Sequence, residues 1–384
     1  MNVKRYIALF LLLTCLLGAC AERAAKPQAQ QPQQMLGVRV DEEQIIADII
    51  PAQNETISLV STQVTDFLDG YFFGKGPEVV SAANGLVVKR EPLYQDVTFS
   101  WSCTESNSGY TLAYATKADF SDVITLETQA SSVTVAGLLV AKTYYWQVVT
   151  HRESDDHYSE IYSFQTEDTP RIVHMDNVVN VRDIGGYLTV DGKHRVAQGM
   201  IYRGGNLDSI TGVGMTEATQ ILGIKTDLDL RSPSSESDAM LFTDKSPILQ
   251  GVNYINISGA SYSSAISSRM KQELEPFTKE ENYPIYIHCK VGRDRTGTLV
   301  YILGALLGVP EETLLADYEL TYLTEFAYAS GDMRGHNNMT DFLTQFHKFP
   351  GDTLQQKAES FCLSIGMSQQ QIQTIREIML EEVA

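Results

Sequence analysis

Residues 283–308, "YPIYIHCKVGRDRTGTLVYILGALLG", limit the possible folds of the chain more than any other stretch. The run "PIYIH" is typical of a short buried strand, and "LVYILGALLG" is apolar on every side, as a buried helix is. Such a helix needs packing partners all around it, and the strand needs neighbours in a sheet. The stretch therefore predicts a strand, a tight loop and a helix inside an α/β domain.

The sequence on both sides of this stretch alternates between strand-like and helix-like patterns. "IKTDLDL" and "VNYINIS" are short strand-like runs, and helical patterns such as "TGVGMTEATQIL" and "SQQQIQTIREIMLEEV" precede or follow them. Asp352 or Ser368 would cap the late helices. The prediction is an α/β domain over residues 170–384, with a central sheet flanked by helices.

Residues 76–168 have a different pattern. "DVTFSWSC", "YTLAYATK" and "KTYYWQVVTH" alternate apolar and polar residues, which predicts an all-β sandwich. Trp101 and Trp146 fall on these strands, where core packing is the expected role. The region resembles a fibronectin type III domain, with "TYYWQV" in the penultimate strand and "YSFQT" in the last. The chain is therefore predicted to be multidomain, an all-β sandwich followed by the α/β domain.

The first residues have the pattern of an export signal. Lys4 and Arg5 precede the apolar run "YIALFLLLTCLLGAC", which is too short for an ordinary spanning helix. Its ending, "LGAC", resembles a bacterial lipobox, which implies removal of residues 1–19 and lipid attachment to Cys20. The expected location is then the periplasmic or cell-surface face of a bacterial membrane. An ordinary signal peptide with a chance cysteine and an uncleaved anchor are the alternatives.

Residues 20–75 are predicted to be a tether followed by a helical preamble. The stretch "CAERAAKPQAQQPQQ" is rich in Ala, Gln and Pro and cannot bury a core, which indicates a flexible tether. "DEEQIIADII" and "STQVTDFLDGYFF" have apolar residues at helical spacing, and Pro51 separates them. The sequence indicates no function for this preamble.

Charge and cysteine content exclude several classes of function. The net charge of −19 argues against general binding to nucleic acid or anionic lipid, because both need a basic surface. Once Cys15 and Cys20 are set aside, an odd number of cysteines remains, so a disulfide scaffold is excluded and at least one thiol is free. These cysteines are Cys103, Cys289 and Cys362. No metal site is expected, because four histidines are scattered along the sequence without the spacing typical of metal ligands. They are His174, His194, His336 and His347.

Cys289 lies where the predicted strand ends and the loop begins. Backbone N–H groups of this loop converge at the N-terminus of the following helix, and such an arrangement binds anions. The same field, together with Lys290, Arg293 and Arg295, favours the thiolate and lowers the pKa of Cys289. Arg295 can also hold two phosphate oxygens in a bidentate fork. The stretch therefore predicts a reactive cysteine beside a phosphate-binding loop.

The string "HCKVGRDRTG" resembles the Cys-x5-Arg loop of the protein tyrosine phosphatase superfamily. "NVRDIGGY", "IYRGGNL", "DLDLRSPSSE" and "ADYELT" extend the resemblance to bacterial tyrosine and lipid phosphatases. The resemblance implies that the Cys289 thiolate attacks phosphorus and forms a phosphocysteine, while Arg295 and the loop amides stabilise the developing charge. Thr296 would hydrogen-bond the sulfur, and His288 would orient the loop or simply fill the core. No cofactor is implied. The residues expected to bind phosphate are Lys290, Val291, Gly292, Arg293 and Arg203.

The general acid can be chosen from three carboxylates. Many members of the superfamily supply an aspartate from a loop before the cysteine, but "GASYSSAISSRM" contains no carboxylate. Asp294, inside the loop, is therefore the expected acid. Asp183 and Asp229 are the other candidates, although a carboxylate beside Arg182 or Arg231 is more often part of a structural ion pair. We accordingly expect Asp183, Asp229 and Arg231 to support the site.

The basic residues of the loop bear on the substrate. Lys290 and Arg293 occupy places where phosphoinositide phosphatases carry basic residues, and with Arg203 and Arg182 they could hold a second phosphate. The alternative is that they only lower the thiol pKa. The expected substrate is a phosphorylated protein or a phosphoinositide, with no role for nucleic acid. Two alternative functions are that of an inositol polyphosphate phosphatase and that of a non-catalytic phosphate-binding surface protein.

Overall fold

The computed structural model describes residues 46–70, 92–104, 106–153, 155–248, 251–324 and 334–383. The predicted signal peptide, Cys20 and the tether lie outside these residues. Within the described ranges, no helix combines the length and the apolar character needed to cross a membrane.

The first half of the described chain forms two packed β-sheets. One sheet has the strand order β1 (Ile46–Ile50), β3 (Val97–Cys103) and β6 (Ser132–Val135). The other has the order β2 (Glu55–Ile57), β9 (Tyr162–Thr166), β7 (Thr143–His151), β4 (Gly109–Ala115) and β5 (Ile124–Thr128), and β8 (Asp156–Tyr158) pairs with β7. Trp101 and Trp146 are buried in the core between the sheets, with Phe99 in T-shaped contact with Trp146. Both tryptophans therefore pack, as their position on the strands predicted.

The prediction for "DEEQIIADII" is wrong in its described part. Residues 46–50 form the strand β1, which pairs antiparallel with β3, and not a helix. Asp48 and Ile50 are exposed while Ile49 packs against the sandwich core, so the side chains alternate with a period of two. Pairing with β3 overrides the helical spacing of the apolar residues. The predicted sandwich therefore begins before residue 76.

The second apolar segment of the preamble contains the helix α1 (Thr62–Asp69). Its buried residues Val64 and Phe67 form one cluster with Leu320 and Leu323, which lie in the α/β part of the chain. The preamble therefore packs directly on the domain that follows the sandwich.

The α/β part of the chain is built on a mixed five-stranded sheet. Its strand order is β10 (Arg182–Asp183), β12 (Ile201–Gly204), β15 (Ile285–His288), β13 (Thr226–Asp229) and β14 (Asn253–Asn256). All neighbouring strands are parallel except β10, which is antiparallel to β12. The carboxyl ends of the four parallel strands therefore meet at one edge of the sheet, with β15 at the centre. A separate ribbon joins β11 (His194–Val196) to β16 (Leu380–Glu382).

Helices cover both faces of this sheet. The helices are α2 (Gly212–Thr216), continued by a π-helical turn (Glu217–Ile221), α3 (Arg269–Leu274), α4 (Asp294–Leu307), α5 (Glu311–Glu319), α6 (Arg334–Phe346), α7 (Leu354–Ser364) and α8 (Gln369–Met379). Ile285 and Ile287 pack into the large core that contains α4, whereas Tyr286 belongs to the core on the opposite face. Twelve of the fourteen residues of α4 are buried, so the helix is enclosed as its apolar sequence predicted.

The sandwich is hydrogen-bonded to the α/β part. Gln198 accepts a hydrogen bond from the Val140 N–H at 2.9 Å and donates one to the Val140 carbonyl at 3.0 Å. Arg171 donates to the carbonyl of Leu138 at 3.0 Å and to Asp183 at 2.6 Å, so one buried guanidinium joins the two parts. The strand β10 and the loop before β12 are thus hydrogen-bonded to the sandwich.

Candidate active site

The loop of residues 289–293 begins at the carboxyl edge of the sheet. β15 ends at His288, which lies level with Gly204 of β12 and Asp229 of β13. Gly292 has a φ of +74°, and a Cβ at this position would lie 2.3 Å from the Gly204 carbonyl oxygen. A side chain would therefore collide with backbone that cannot move aside, so only glycine allows the loop to pack against β12.

Two asparagines donate hydrogen bonds to carbonyl groups of the loop. Asn206 donates from its backbone N–H and its side chain to the Lys290 carbonyl, at 3.2 and 2.8 Å. The Asn180 side chain donates to the Val291 carbonyl at 3.0 Å. The backbone hydrogen bonds of the described loops include none donated by the amides of Lys290, Val291 or Gly292. These N–H groups therefore lie at the start of α4 without a backbone acceptor, which is the arrangement that binds anions.

Cys289 is a free thiol with only 2% of its surface exposed. Burial alone would raise the pKa of the Cys289 thiol, but the charge of Arg295 and the polar hydroxyl and N–H of the nearby Thr296 outweigh burial and lower it. The helix dipole of α4 acts in the same direction. The thiolate is therefore favoured at this position.

Arg295 is held by a carboxylate that the sequence did not single out. Its Nη1 and Nη2 donate to the two oxygens of Asp238 at 2.8 and 2.6 Å, and Nη1 also donates to the Leu230 carbonyl at 3.1 Å. Burial acts to raise the pKa of Asp238, but the Arg295 hydrogen bonds and the Ser232 N–H lower it overall. Asp238 therefore stays ionised and fixes the plane of the guanidinium.

His288 lies behind the loop as a buried cation. Its Nε2 is 2.9 Å from Asp227 Oδ1, and its Nδ1 is 3.1 Å from the Cys289 carbonyl oxygen. Burial alone would lower the pKa of His288, but Asp227 and Asp229 raise it to about 9. Nδ1 contacts the loop backbone, and the charged ring forms ion pairs with Asp227 and Asp229, so His288 links the loop to the carboxylates of β13.

The structure corrects the prediction that Arg203 and Arg182 hold a second phosphate. Arg203 is wholly buried, and its guanidinium donates to Asp317 and to the Gly292 carbonyl at 2.5 Å. Arg182 is also buried and donates to Asp317 Oδ1 at 2.7 Å. Asp317 thus binds both arginines beneath the loop. There they are buried from solvent and support the loop backbone.

Asp183 and Asp229 lie in buried ion pairs and are not placed to act as acids. Asp183 accepts from Arg171, and from the N–H groups of Gly185 and Gly199 at 2.7 and 2.6 Å. Its partner is Arg171 and not Arg182, which corrects the sequence prediction. Asp229 is wholly buried and accepts three hydrogen bonds from the Arg231 guanidinium. Both carboxylates therefore support the sheet edge, as does Arg231.

Asp294 differs from the other two candidates because 37% of its side chain is exposed. Its Oδ1 accepts hydrogen bonds from the Tyr262 hydroxyl and from Arg293 Nε, the latter at 2.6 Å. Arg293 is buried, with its guanidinium against Asp294, so the prediction that its side chain holds a second phosphate is also corrected. Lys290 is the exposed basic residue of the loop, and its Nζ donates to the Ser237 carbonyl at 2.9 Å.

Sequence reasoning did not assign several residues that build the site. Asn180 and Asp317 lie within the quoted motifs "NVRDIGGY" and "ADYELT", so the motifs could have pointed to them. Asp238 lies in a serine-rich loop, and Tyr262 lies in the stretch noted only for its missing carboxylate. No local pattern marks either residue. Within the described ranges, no group of three or more His, Cys, Asp or Glu residues could hold a metal ion.

Comparison with known proteins agrees with this geometry. The model of the tyrosine phosphatase family matches residues 173–381, which is more than half of the chain. The chain belongs to the tyrosine phosphatase family. This match confirms the family resemblance seen in the "HCKVGRDRTG" loop, and it spans the site from Asn180 to Asp317.

The individual proteins found to be similar to this tyrosine phosphatase family member have low sequence identity to it. A curated protein of Cupriavidus necator, provisionally named a tyrosine-protein phosphatase, is 28% identical over 167 residues, which cover 38% of this chain and 60% of that protein. The chain therefore spans less than two thirds of that relative. Two solved structures of the catalytic core of Siw14, one of them described as a PP-IP phosphatase from S. cerevisiae, are 18% and 16% identical to this chain. Each covers 37% of this chain and about four fifths of its own length, with a TM-score of 0.27.

Proposed function

We propose that the protein is a cysteine-dependent phosphatase that hydrolyses phosphomonoesters through a phosphocysteine intermediate. One observation carries the proposal: a buried Cys289 of lowered pKa lies at the N-terminus of α4 beside Arg295, where the loop amides have no backbone acceptor. A thiolate is the nucleophilic form of cysteine, and the amides and guanidinium bind the oxygens of the phosphoryl group. Membership of the tyrosine phosphatase family supports the same reaction.

The proposed reaction has two balanced steps. In the first, the Cys289 sulfur forms a bond to phosphorus, the bond to the leaving oxygen breaks, and Asp294 gives that oxygen a proton. In the second, water forms a bond to phosphorus, the S–P bond breaks, and Asp294 takes up a proton from the water. Arg295 and the loop N–H groups stabilise the equatorial oxygens in both steps, and Thr296 stabilises the departing thiolate.

The substrate is proposed to be a singly phosphorylated group on a protein or on a phosphoinositide. Arg203, Arg182 and Arg293 are buried, so Lys290 is the exposed basic side chain of the loop. A second phosphate would therefore meet less positive charge than the sequence suggested. This argues against an inositol polyphosphate as the preferred substrate.

The experiment that tests this proposal is a substrate panel. The chain without residues 1–20 should release inorganic phosphate from p-nitrophenyl phosphate and from phosphotyrosine peptides or phosphoinositides, and inositol hexakisphosphate should be a poorer substrate. Cys289→Ser should remove all release. Phosphate binding without turnover on any member of the panel would support a phosphate-binding surface protein and overturn the proposed enzyme.

We also propose that the protein is exported and anchored through a lipid on Cys20, and that the β-sandwich is a fibronectin type III-like module. The lipobox-like "LGAC" supports the anchor, and the two packed sheets, antiparallel except where β2 joins β9, support the module. Metabolic labelling with a radioactive fatty acid should mark the wild-type protein but not Cys20→Ser. Equal labelling of both, or labelling of neither, would overturn the anchor.

A further inference from the structure

Tyr262 is a residue beside the site whose backbone conformation is unusual. It lies in the 3-10 turn Tyr262–Ala265, after β14, and has a φ of +54°. This left-handed region is rarely adopted by a bulky side chain, and a residue is held there only when the surrounding contacts fix it. Besides its packing in the core, the hydrogen bonds of Tyr262 lead to Asp294.

Two tethers join Tyr262 to the first turn of α4. Its backbone N–H donates to Thr298 Oγ1 at 3.0 Å, and the Thr298 hydroxyl donates to the Asp294 carbonyl at 2.8 Å. At the other end of the side chain, the Tyr262 hydroxyl donates to Asp294 Oδ1. Backbone and phenol of one residue are thus both fixed relative to Asp294.

Tyr318 on α5 completes the chain of hydrogen bonds. The hydroxyls of Tyr262 and Tyr318 are 2.7 Å apart. A phenol carries one hydroxyl proton, and Tyr262 uses its proton in the hydrogen bond to Asp294. Tyr318 must therefore be the hydrogen-bond donor to Tyr262. Tyr318 itself is held by close packing, because a Cβ on Gly297 would lie 2.7 Å from its ring. The sequence of donation is therefore Tyr318 to Tyr262 to Asp294.

These contacts make the two oxygens of Asp294 different. Oδ1 accepts from both Tyr262 and Arg293, and no hydrogen bond to Oδ2 occurs among the described residues. Among the described residues, the charged and titratable groups that interact with Asp294 include Arg293 beside it, Tyr262 from the preceding turn, Tyr318 from α5 and the Cys289 thiol. Burial raises the pKa of Tyr262 far above its usual value, so its hydroxyl stays a donor throughout the neutral range.

Resting on the proposed function, we propose that Tyr262, supported by Tyr318, is a positioning residue that binds Asp294 Oδ1 and leaves Oδ2 to exchange the proton with the leaving group and with water. The turn after β14 has no carboxylate of its own, and in this chain it contributes a phenol that fixes the carboxylate of the loop. Tyr262 itself forms no bond to the substrate.

The test compares esters with good and poor leaving groups. In the absence of a positioned acid, the rate depends more steeply on leaving-group basicity. Tyr262→Phe keeps the ring and removes only the hydroxyl, so its kcat/KM should fall about tenfold more for phenyl phosphate than for p-nitrophenyl phosphate. Tyr318→Phe should show the same change to a smaller degree. Tyr283→Phe is the matched control, because its buried hydroxyl bonds the Phe277 carbonyl at 2.7 Å away from the site, and it should keep the wild-type ratio.

A double variant separates positioning from a merely structural role. Adding Tyr262→Phe to Asp294→Asn should change the leaving-group ratio no further, because the acid is already absent. Equal losses of kcat/KM on both esters in Tyr262→Phe, or an additive effect in the double variant, would overturn the inference while leaving the phosphatase proposal intact. If the wild-type protein hydrolyses neither ester, the proposed function fails and the inference fails with it.

Discussion

The guanidinium of Arg295 and the carboxylate of Asp238 face each other in a bidentate pair, with N–O distances of 2.8 and 2.6 Å. Only 4% of the Asp238 side chain is exposed, and 19% of the Arg295 side chain is exposed. The pair comes from two parts of the chain, because Asp238 lies in the loop after β13 and Arg295 opens α4. Asp238 therefore sets the orientation of Arg295, the arginine whose charge lowers the pKa of the Cys289 thiol.

Neutralising Asp238 should impair the reaction more than the fold. In Asp238→Asn the bidentate pair is lost, so Arg295 is free to turn away from the phosphate, and we expect kcat/KM to fall about 100-fold. Steady-state kinetics on p-nitrophenyl phosphate measures the change. Asp244→Asn, at an exposed aspartate of the same loop, is the matched control and should match the wild type. Equal activity of the two variants would contradict the role given to Asp238.

The lowered pKa of Cys289 should appear in its rate of alkylation. Iodoacetamide reacts with the thiolate, so the rate at Cys289 should level off at a pH below that of an ordinary thiol. Thr296→Val removes the hydroxyl that helps lower the pKa of Cys289 and should move this midpoint to higher pH. Cys362 gives an internal reference, because burial raises its pKa to about 12 and it should react slowly. An unchanged midpoint in Thr296→Val would contradict the role of the Thr296 hydroxyl in lowering this pKa.

The ion pair of His288 with Asp227 should make stability depend on pH. The pKa of His288 is raised from 6.5 to about 9 in the folded protein, so its contribution is complete below pH 6.5 and is lost as pH rises through about 9. The shift corresponds to about 3 kcal/mol. Asp227 and Asp229 both raise this pKa, so chemical denaturation should show that Asp227→Asn lowers the free energy of unfolding by part of this amount at pH 6, and by less at pH 9.5.

A surface variant controls for the His288 measurement. His347→Asn breaks an exposed pair with Glu311, in which each side chain is more than a third exposed. Its effect on the free energy of unfolding should stay below about 1 kcal/mol at both pH values. A difference between wild type and Asp227→Asn that is the same at pH 6 and pH 9.5 would show that His288 is not the buried cation.

Gly292 should tolerate no side chain. In Gly292→Ala the new methyl group would meet the Gly204 backbone at 2.3 Å, so the loop must shift and kcat/KM should fall by about 100-fold or more. Gly223 has a similar φ of +64°, but a Cβ at that position would have no neighbour within 4 Å. Gly223→Ala should cost only the conformational strain, about 1–2 kcal/mol, with unchanged kcat/KM. Similar activity in both variants would contradict the close packing of the loop.

The sequence predicted the parts of the site that are local. The strand, the loop and the enclosed helix around Cys289 lie within one stretch, and periodicity with the placement of apolar residues is enough to define them. The residues of β1 were assigned wrongly because their apolar spacing fits a helix, while long-range pairing with β3 decides the outcome.

Contacts between distant segments could not be predicted in the same way. Arg203 looked available for a phosphate because its sequence neighbours say nothing about burial. In the folded chain it is wholly buried and pairs with Asp317 of α5. Asp238 and Tyr262 come from irregular segments without periodicity, so only the folded chain shows that they bind Arg295 and Asp294. The sequence predicted the candidate reacting groups, and the tertiary structure shows which side chains hold them.

The most direct test of the account is to trap the covalent intermediate. The protein is mixed rapidly with p-nitrophenyl phosphate, quenched in acid within one turnover and digested for peptide mass spectrometry. The account predicts one phosphoryl group on the sulfur of Cys289 in the wild-type protein, and neither a phosphorylated peptide nor turnover in Cys289→Ser. Phosphoryl transfer to another residue, or turnover that persists in Cys289→Ser, would contradict it.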